Sequence, residues 1–288
     1  MITIVEQTNK AIQRIIHAYE MAQNMGNVLI CAYSGGKDSD VLLDLAIKSG
    51  VPFIAQHNHT TVDAPETVYH IREVFAKLKA QGIATQINFP PEIETADGKR
   101  TRATMWNLIP RKRIPPTRRI RYCCEYFKER QFDGQHLLTG VRWAESVRRR
   151  GRGVHEKLHR NKEKRVIYMD ENDDAQKLFD ICHKKSRVAT NPIIDWTDSD
   201  IWTHIQENNI PMNPLYARGW KRIGCLGCPM ATKAHRELSE YPKYRAAYIR
   251  AFEKMRHERE LRGLDNIGHF KSAEGAFDWW SGLISKPK

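Results

Sequence analysis

The stretch from residue 27 to residue 46 restricts the fold of this chain more than any other part of its sequence. An apolar run at 27–33 predicts a buried strand, and the Val- and Leu-rich residues 40–46 predict a helix. Between them stands Ser34-Gly-Gly-Lys-Asp-Ser39. Glycines between a strand and a helix N-terminus let backbone N–H groups converge on an anion, and Lys37 adds a positive charge. The stretch therefore predicts a phosphate-binding loop, with an ordinary glycine-rich turn as the alternative.

Alternating strand and helix signals continue after this loop. Residues 52–57 and 83–89 predict two more strands, and the helix between them spans Ala64 to Gln81. His136 to Gly140 predicts a fourth parallel strand. Such repeats predict an α/β fold with a doubly wound, mostly parallel sheet. Because ligands bind such sheets at the carboxyl ends of the strands, the loop and the segment after Gly140 should lie together.

The chain is long enough for one large domain with an extension. We predict an N-terminal helix at 1–26, the main domain at 27–235 and a C-terminal helical extension at 236–288, with a break near Pro242. A further helix is predicted from Asp198 to Asn208, capped by Thr197 or Asp198. No apolar stretch reaches membrane-spanning length and no secretory leader follows the first residue, so we expect a cytoplasmic protein without a membrane partner.

The positive net charge is concentrated in the middle of the chain. Residues 99–165 hold 21 Lys and Arg against 6 Asp and Glu, whereas the rest holds 26 against 28. Such a block attracts polyanions, so DNA or RNA is one interpretation. A solvated basic surface and a pocket for a single nucleotide are the others. Residues 148–165 are predicted to form a mobile basic loop, in which the candidate nucleic-acid contacts are Arg148, Arg149, Arg150 and Arg152.

Four of the six cysteines stand in two pairs. Cys225-Leu-Gly-Cys228 presents two thiols from one tight turn, and Cys123-Cys124 is an adjacent pair. Without a secretory signal, metal or redox chemistry explains such pairs better than disulfides do. Four soft ligands fit a structural zinc ion or a 4Fe-4S cluster, with a redox-active dithiol as the alternative. Because adjacent side chains point apart, we favour iron–sulfur over zinc. Cys31 and Cys182 are interpreted as buried thiols.

A zinc-protease pattern also occurs in the basic segment. His155-Glu-Lys-Leu-His159 matches His-Glu-x-x-His. The stretch lacks an apolar helix face, and no third ligand is evident. We therefore interpret it as a chance match.

Several motifs together resemble the ATP pyrophosphatase (PP-loop) superfamily and, within it, the iron–sulfur type of the phosphoadenosine phosphosulfate (PAPS) reductase family. Residues 34–39 resemble the superfamily's pyrophosphate-binding loop, and Gly140-Val-Arg-Trp-Ala-Glu-Ser146 is similar to a signature of the family. Residues 191–196 and 213–216 look like its other fingerprints. The resemblance implies an adenine nucleotide alpha hydrolase-like fold. It also implies a 4Fe-4S cluster on Cys123, Cys124, Cys225 and Cys228.

Two departures from the sulfonucleotide reductases bear on the expected activity. Those enzymes carry a nucleophilic cysteine near the C-terminus, whereas no cysteine follows Cys228 in this sequence. They also tend to have a degenerate phosphate loop, whereas this chain keeps Lys37 and the glycine pair, as do superfamily members that cleave ATP between the α- and β-phosphates.

These departures favour an ATP-using enzyme that adenylylates an acceptor, releases pyrophosphate and enables sulfur transfer on DNA or RNA. A cysteine desulfurase or another sulfur donor would then be a partner. A reductase of adenylyl sulfate or phosphoadenylyl sulfate is the first alternative. A non-catalytic nucleotide-binding regulator is the second.

The expected site binds ATP and Mg²⁺ at the loop. Mg²⁺ and Lys37 would neutralise charge on the leaving pyrophosphate, and Asp38 would hold the ion or orient the loop. A structural ion pair is the alternative role for Arg142 and Glu145. The candidate catalytic residues are Lys37, Asp38, Arg142 and Glu145. The candidate nucleotide-binding residues are Ser34, Gly35, Gly36, Lys37, Asp38, Ser39, Gly140, Arg142 and Ser146.

Overall fold

A computed structural model describes residues 3–129, 135–157, 166–168, 188–231 and 234–282. The chain divides into two units that both draw on distant parts of the sequence. The first unit contains residues 1–57, 66–87 and 132–223, and the second contains residues 58–65, 88–131 and 224–288. The domain boundaries expected after residues 26 and 235 stay predictions.

A mostly parallel sheet forms the centre of the first unit, as the repeated strand–helix pattern predicts. The strands in the described ranges are β1 (Val28–Ala32), β2 (Ile54–Asn58), β3 (Ala84–Asn88), β4 (Glu92–Glu94), β5 (Arg100–Arg102), β6 (Gln135–Leu138), β7 (His155–Lys157), β8 (Val166–Tyr168) and β9 (Val188–Thr190). Seven of them form one sheet in the order β3-β2-β1-β6-β9-β7-β8. β1 is parallel to β2 and β6, and β6 is parallel to β9. β7 runs antiparallel to β9 and β8, and β4 and β5 form an antiparallel hairpin in the second unit.

The described helices follow the predicted positions closely where the sequence is periodic. They are α1 (Ile4–Asn24), α2 (Lys37–Lys48), α3 (Pro65–Ala80), α4 (Met105–Lys112), α5 (Tyr122–Cys124), α6 (Asp198–Glu207), α7 (Ala234–Glu240), α8 (Pro242–Glu260) and α9 (Ala273–Ser281). Thr197 caps α6 by accepting a hydrogen bond from the Asp200 backbone N–H. Pro242 begins α8, so the predicted break is confirmed. None of these described helices combines the length and apolarity that a membrane crossing requires.

The core of the first unit packs α1, α2, α3 and α6 around the sheet. Fully buried apolar side chains include those of Ile15, Leu42, Leu45 and Ile201. Cys31 lies among them, and its burial raises the pKa of the thiol to about 12. This environment fits the interpretation of Cys31 as a buried thiol, whereas Cys182 lies outside the described residues.

The predicted mobile basic loop at 148–165 is wrong at residues 155–157. Residues 155–157 form β7, in which His155 and Glu156 are buried. Glu156 tolerates burial because Arg152 donates from Nε to its Oε2 at 2.6 Å. Side chains of adjacent strand residues point to opposite faces, so the described half of the His-Glu-x-x-His match lacks the helical arrangement of a zinc protease. The second histidine of that match, at position 159, lies outside the described residues.

Two buried histidines share one hydroxyl group inside the sheet. His136 Nε2 lies 2.8 Å, and His155 Nδ1 lies 2.9 Å, from Thr190 Oγ1. Burial lowers the pKa of each imidazole to about 3. Both rings are therefore neutral in the folded protein at ordinary pH.

We expect the folded chain to lose stability as the pH falls below about 6. Unfolded imidazoles take up protons below their ordinary pKa of about 6.5, whereas His136 and His155 resist protonation down to about 3, so acid favours unfolding between these values. Together they would lower the free energy of unfolding by up to about 2.7 kcal/mol per pH unit. Urea unfolding across this range measures the slope. His136→Gln should remove about half of this contribution; an unchanged slope would contradict the prediction.

Candidate functional site

The predicted phosphate-binding loop lies in the first unit, between β1 and α2. Gly35 has a φ of +73°, and a Cβ at this position would lie 3.0 Å from Ile71 Cγ1. A side chain there would be both strained and crowded. Ser39 Oγ accepts hydrogen bonds from the backbone N–H groups of Ser34 and Gly36, each at 3.2 Å, and donates to the Gly36 carbonyl at 2.8 Å. Ser39 therefore shapes the loop from within.

Two cations and two carboxylates meet at the start of α2. Lys37 Nζ donates to Oδ1 of Asp38 and to Oδ1 of Asp198, each at 3.0 Å. Arg142 donates from Nε to Asp38 Oδ1 and from Nη2 to Asp198 Oδ1, each at 2.7 Å. Hydrogen bonds from Lys37 and then Arg142 lower the pKa of Asp198. Asp198 is thus held as a carboxylate against the two cations.

Arg142 is the most enclosed member of this cluster. Its side chain is 1% exposed, and its Nη1 also donates to the Trp196 carbonyl at 3.1 Å. Three separate acceptors therefore fix the plane of the guanidinium group. The expected proximity of Lys37, Asp38 and Arg142 is present in the structure.

The other residues of the 140–146 signature have different surroundings. Gly140 follows β6, and a Cβ there would lie 3.0 Å from the Asp38 carbonyl oxygen. This close approach places the segment after β6 against the loop, as the sheet topology predicts. Glu145 accepts a hydrogen bond from the Arg142 backbone N–H at 3.1 Å and pairs with the Arg149 side chain, so it is not the ion-pair partner of the Arg142 guanidinium. Ser146 is exposed.

Three site residues were absent from the sequence-based candidates. Asn213 Nδ2 donates to the Gly35 carbonyl at 3.1 Å, and Tyr216 Oη accepts a hydrogen bond from the Lys37 backbone N–H at 2.8 Å. Both residues belong to the 213–216 fingerprint, and this motif is the sequence signal that could have identified them as site residues. Asp198 had only its place at a helix start to mark it, because its partners are distant in sequence.

The candidate nucleic-acid arginines are only partly available for a phosphodiester backbone. Arg149 pairs with Glu145, and Arg152 with the buried Glu156. Arg150 is exposed. The side chain of Arg148 lies outside the described part of the structure.

The four paired cysteines all lie in the second unit. Cys123 and Cys124 end the short helix α5 and precede a π-helical turn at Glu125–Glu129. The turn from Cys225 to Cys228 is anchored by the Leu226 backbone N–H, which donates to the Val62 carbonyl at 2.8 Å. This arrangement keeps two thiols on either side of a buried leucine.

The thiols of this group influence one another electrostatically. A hydrogen bond from Cys123 and one from Arg121 Nη2, at 3.0 Å from the sulfur, lower the pKa of Cys124 to about 5. The same bond to Cys124 raises the pKa of Cys123, and the charges of Cys225 and Cys228 act in the same direction. Attraction to Cys225 raises the pKa of Lys128. The group is therefore a set of mutually interacting thiols beside two cations.

The geometry does not by itself show a metal centre. Within the described ranges, no group of three or more His, Cys, Asp or Glu side chains is arranged so that it could hold a metal ion. Two pairs of cysteines in one unit, with Arg121 donating to Cys124, are the kind of donor set that an anionic iron–sulfur cluster uses.

Replacing Gly140 by alanine should strain the loop. The added Cβ would meet the Asp38 carbonyl oxygen at 3.0 Å, so one backbone must shift. We expect the free energy of unfolding to fall by about 1–3 kcal/mol. Gly151→Ala is the matched control, because no described atom lies within 4 Å of a Cβ there. Equal urea midpoints for the two variants would contradict this expectation.

Comparison with known proteins places these features in a family. The family model of the phosphoadenosine phosphosulfate reductase domain matches residues 28–231. An adenosine 5'-phosphosulfate reductase of Oceanobacillus iheyensis is 25% identical over 224 residues, covering 77% of this chain and 79% of that protein. The solved phosphoadenylyl-sulfate reductase of Candida auris has a TM-score of 0.44 and 17% identity, covering 72% of this chain and 87% of that one.

One of the relatives is about twice as long as the part of it that aligns with this chain. An uncharacterized protein of Methanocaldococcus jannaschii is 26% identical over 252 residues, covering 85% of this chain and 51% of that protein. The chain thus spans about half the length of that relative. Since the family model extends over more than half of the 288 residues and includes both the 34–39 loop and the paired cysteines, the chain belongs to the phosphoadenosine phosphosulfate reductase domain family of the PP-loop superfamily.

Proposed function

We propose that this chain is an ATP-using enzyme that adenylylates an acceptor, releases pyrophosphate and so prepares the acceptor for sulfur transfer. One observation carries the proposal: Lys37 and Arg142 both donate to the same oxygen of Asp198, at 3.0 and 2.7 Å. Two cations beside the loop are therefore close enough to share one anionic oxygen. Such a pair suits the charge that develops on a departing pyrophosphate.

In the proposed step, an acceptor oxygen attacks the α-phosphorus of ATP. The bond from that phosphorus to the oxygen bridging the α- and β-phosphates breaks, and pyrophosphate leaves with the electron pair. Lys37 and Arg142 would hold the leaving oxygens, and the backbone of Gly35 and Gly36 would bring the loop against them. Asp38 supplies a carboxylate of the kind that binds Mg²⁺, which would neutralise phosphate charge.

The four paired cysteines are the proposed ligands of a 4Fe-4S cluster. The proposal is supported by the chemistry of the donor set, which is four cysteines of one unit, and by Arg121, which donates to the Cys124 sulfur at 3.0 Å. A bound cluster would supply redox chemistry or structural support at this position. Arg121, which donates to Cys124, would hold that sulfur in its ligating form.

Nucleic acid is the proposed acceptor, in the cytoplasm, with a cysteine desulfurase or another sulfur donor as partner. The support is the basic block at residues 99–165 and, within it, the exposed Arg150. Arg149 and Arg152 are paired with glutamates, so the other basic residues of the block are the better candidates for contacts to nucleic acid. Binding that uses them would weaken as salt rises.

A second candidate function is reduction of adenylyl sulfate or phosphoadenylyl sulfate. The observation in its favour is that the Oceanobacillus iheyensis relative, which aligns with 77% of this chain, is named an adenosine 5'-phosphosulfate reductase. The intact loop with both cations favours the ATP reaction instead.

Incubation with ATP should release pyrophosphate, and DNA or RNA should stimulate the release if it is the acceptor. Lys37→Gln should lower the rate at least about tenfold, because it removes a charge next to the leaving group. Lys48→Gln, at the other end of α2, changes the net charge equally and should leave the rate unaltered. Sulfite release from adenylyl sulfate and a reductant, without pyrophosphate release from ATP, would favour the reductase. Nucleotide binding with neither product would indicate a regulator.

The chain purified without oxygen should contain about four iron atoms, together with acid-labile sulfide. Cys228→Ser should reduce the iron content, because it removes one proposed thiolate ligand. Cys31→Ser is the control, since this buried cysteine belongs to the core of the first unit. An iron-free protein, or equal iron in both variants, would contradict the ligand assignment.

A further inference from the structure

The carboxylate of Asp198 lies where the two cations of the loop converge. Asp198 is the first residue of α6, and its Oδ1 accepts hydrogen bonds from Lys37 Nζ and Arg142 Nη2. The side chain is nevertheless 69% exposed. A carboxylate oxygen bound by two cations resembles, in charge and geometry, a phosphate oxygen in the same place.

Arg142 is held firmly in the protein, whereas the Asp198 side chain can give up its place to a ligand. Arg142 is 1% exposed and also donates to Asp38 and to the Trp196 carbonyl, so it stays in place if Asp198 leaves. The Asp198 side chain faces water over most of its surface and would be hydrated on leaving. Departure of this carboxylate therefore frees one hydrogen-bond donation from each cation, while both cations keep their contact with Asp38.

The hydroxyl oxygen of Tyr216 accepts a hydrogen bond from a backbone N–H group of the same loop. Tyr216 Oη accepts the Lys37 backbone N–H at 2.8 Å, while Ser39 Oγ accepts the N–H groups of Ser34 and Gly36. These three backbone donors of the loop are thus engaged by the protein itself. The free energy that an incoming anion gains on binding is only the difference between its own contacts and the internal contacts that it replaces.

We propose that the carboxylate of Asp198 competes with the phosphates of the ligand for Lys37 and Arg142 and so weakens nucleotide binding at the loop. This inference rests on the proposed use of ATP and deepens it. A tethered carboxylate competes at a high effective concentration. Every ligand whose phosphates reach both cations has to displace Asp198, and the free energy of that displacement is the same for each such ligand. Asp198 therefore lowers the affinity for a triphosphate, whose outer phosphates would reach the cations, more than the affinity for a monophosphate that does not reach them.

Calorimetric titration of the full chain with a non-hydrolysable ATP analogue and with AMP tests this competition. Asp198→Asn should tighten the binding of the ATP analogue about three- to tenfold and the binding of AMP, which has no β- or γ-phosphate to reach the two cations, less. Glu207→Gln, at the other end of α6, makes the same change in net charge and should leave both affinities unchanged. Asp198→Ser provides a second variant if the amide destabilises the start of the helix.

Two results would overturn the inference. One is an equal response in the Asp198 and Glu207 variants, which would indicate only a general effect of charge. The other is weaker binding of both ligands to Asp198→Asn and Asp198→Ser, which would make Asp198 a support for the ligand.

If the wild-type chain binds neither nucleotide, the proposed ATP reaction fails, and titration with pyrophosphate alone still tests Asp198. Tighter pyrophosphate binding to Asp198→Asn than to wild type and Glu207→Gln would then support the competition. Unchanged binding would overturn it.

Discussion

The buried guanidinium of Arg142 is the interaction on which the site in the first unit depends. It joins Asp38 at the start of α2, the Trp196 carbonyl before α6, and Asp198 at the start of α6. A charge that is 1% exposed is tolerated because these acceptors compensate its burial. The same bonds that compensate its burial also fix the distance between α2 and α6. Stability and the position of the cations therefore have one physical cause.

The loop itself is held from several distant parts of the chain. Asn213 bonds to the Gly35 carbonyl, Tyr216 bonds to the Lys37 backbone N–H, and Gly140 lies against the Asp38 backbone. Such support keeps the backbone of the loop in place before any ligand arrives. Binding then requires the exchange of a few contacts and little ordering of the backbone, which limits its entropic cost.

Local sequence patterns predicted those parts of the fold whose causes are local. Strands β1, β2, β3 and β6, the loop at 34–39, and helices α2, α3 and α6 all follow from periodicity, glycine positions and capping residues. The arrangement of the loop beside Gly140 followed from the general rule for parallel sheets. The predicted cysteine set shares one unit, although its geometry does not show a metal centre.

What the sequence did not reveal depends on pairs of residues far apart in the chain. The high charge of residues 148–165 predicts a mobile loop, whereas residues 155–157 form β7 because Glu156 pairs with Arg152 and His155 contacts Thr190 from β9. The place of Asp198 beside Arg142 likewise depends on a separation of 56 positions. Composition within a short window contains no information about such partners.

The antiparallel course of β7 has a consequence for the arginine-rich segment before it. This segment leaves the site at Arg142 and is secured again at His155, which pairs with Thr190 in the sheet. A segment that is fixed at both ends can reach only a limited volume, and the distance between its ends is set by the residues that hold them. Its arginines therefore act over a short radius around the loop. Lengthening this segment by a few residues, with every charge retained, would let its arginines lie farther from the cations of the site.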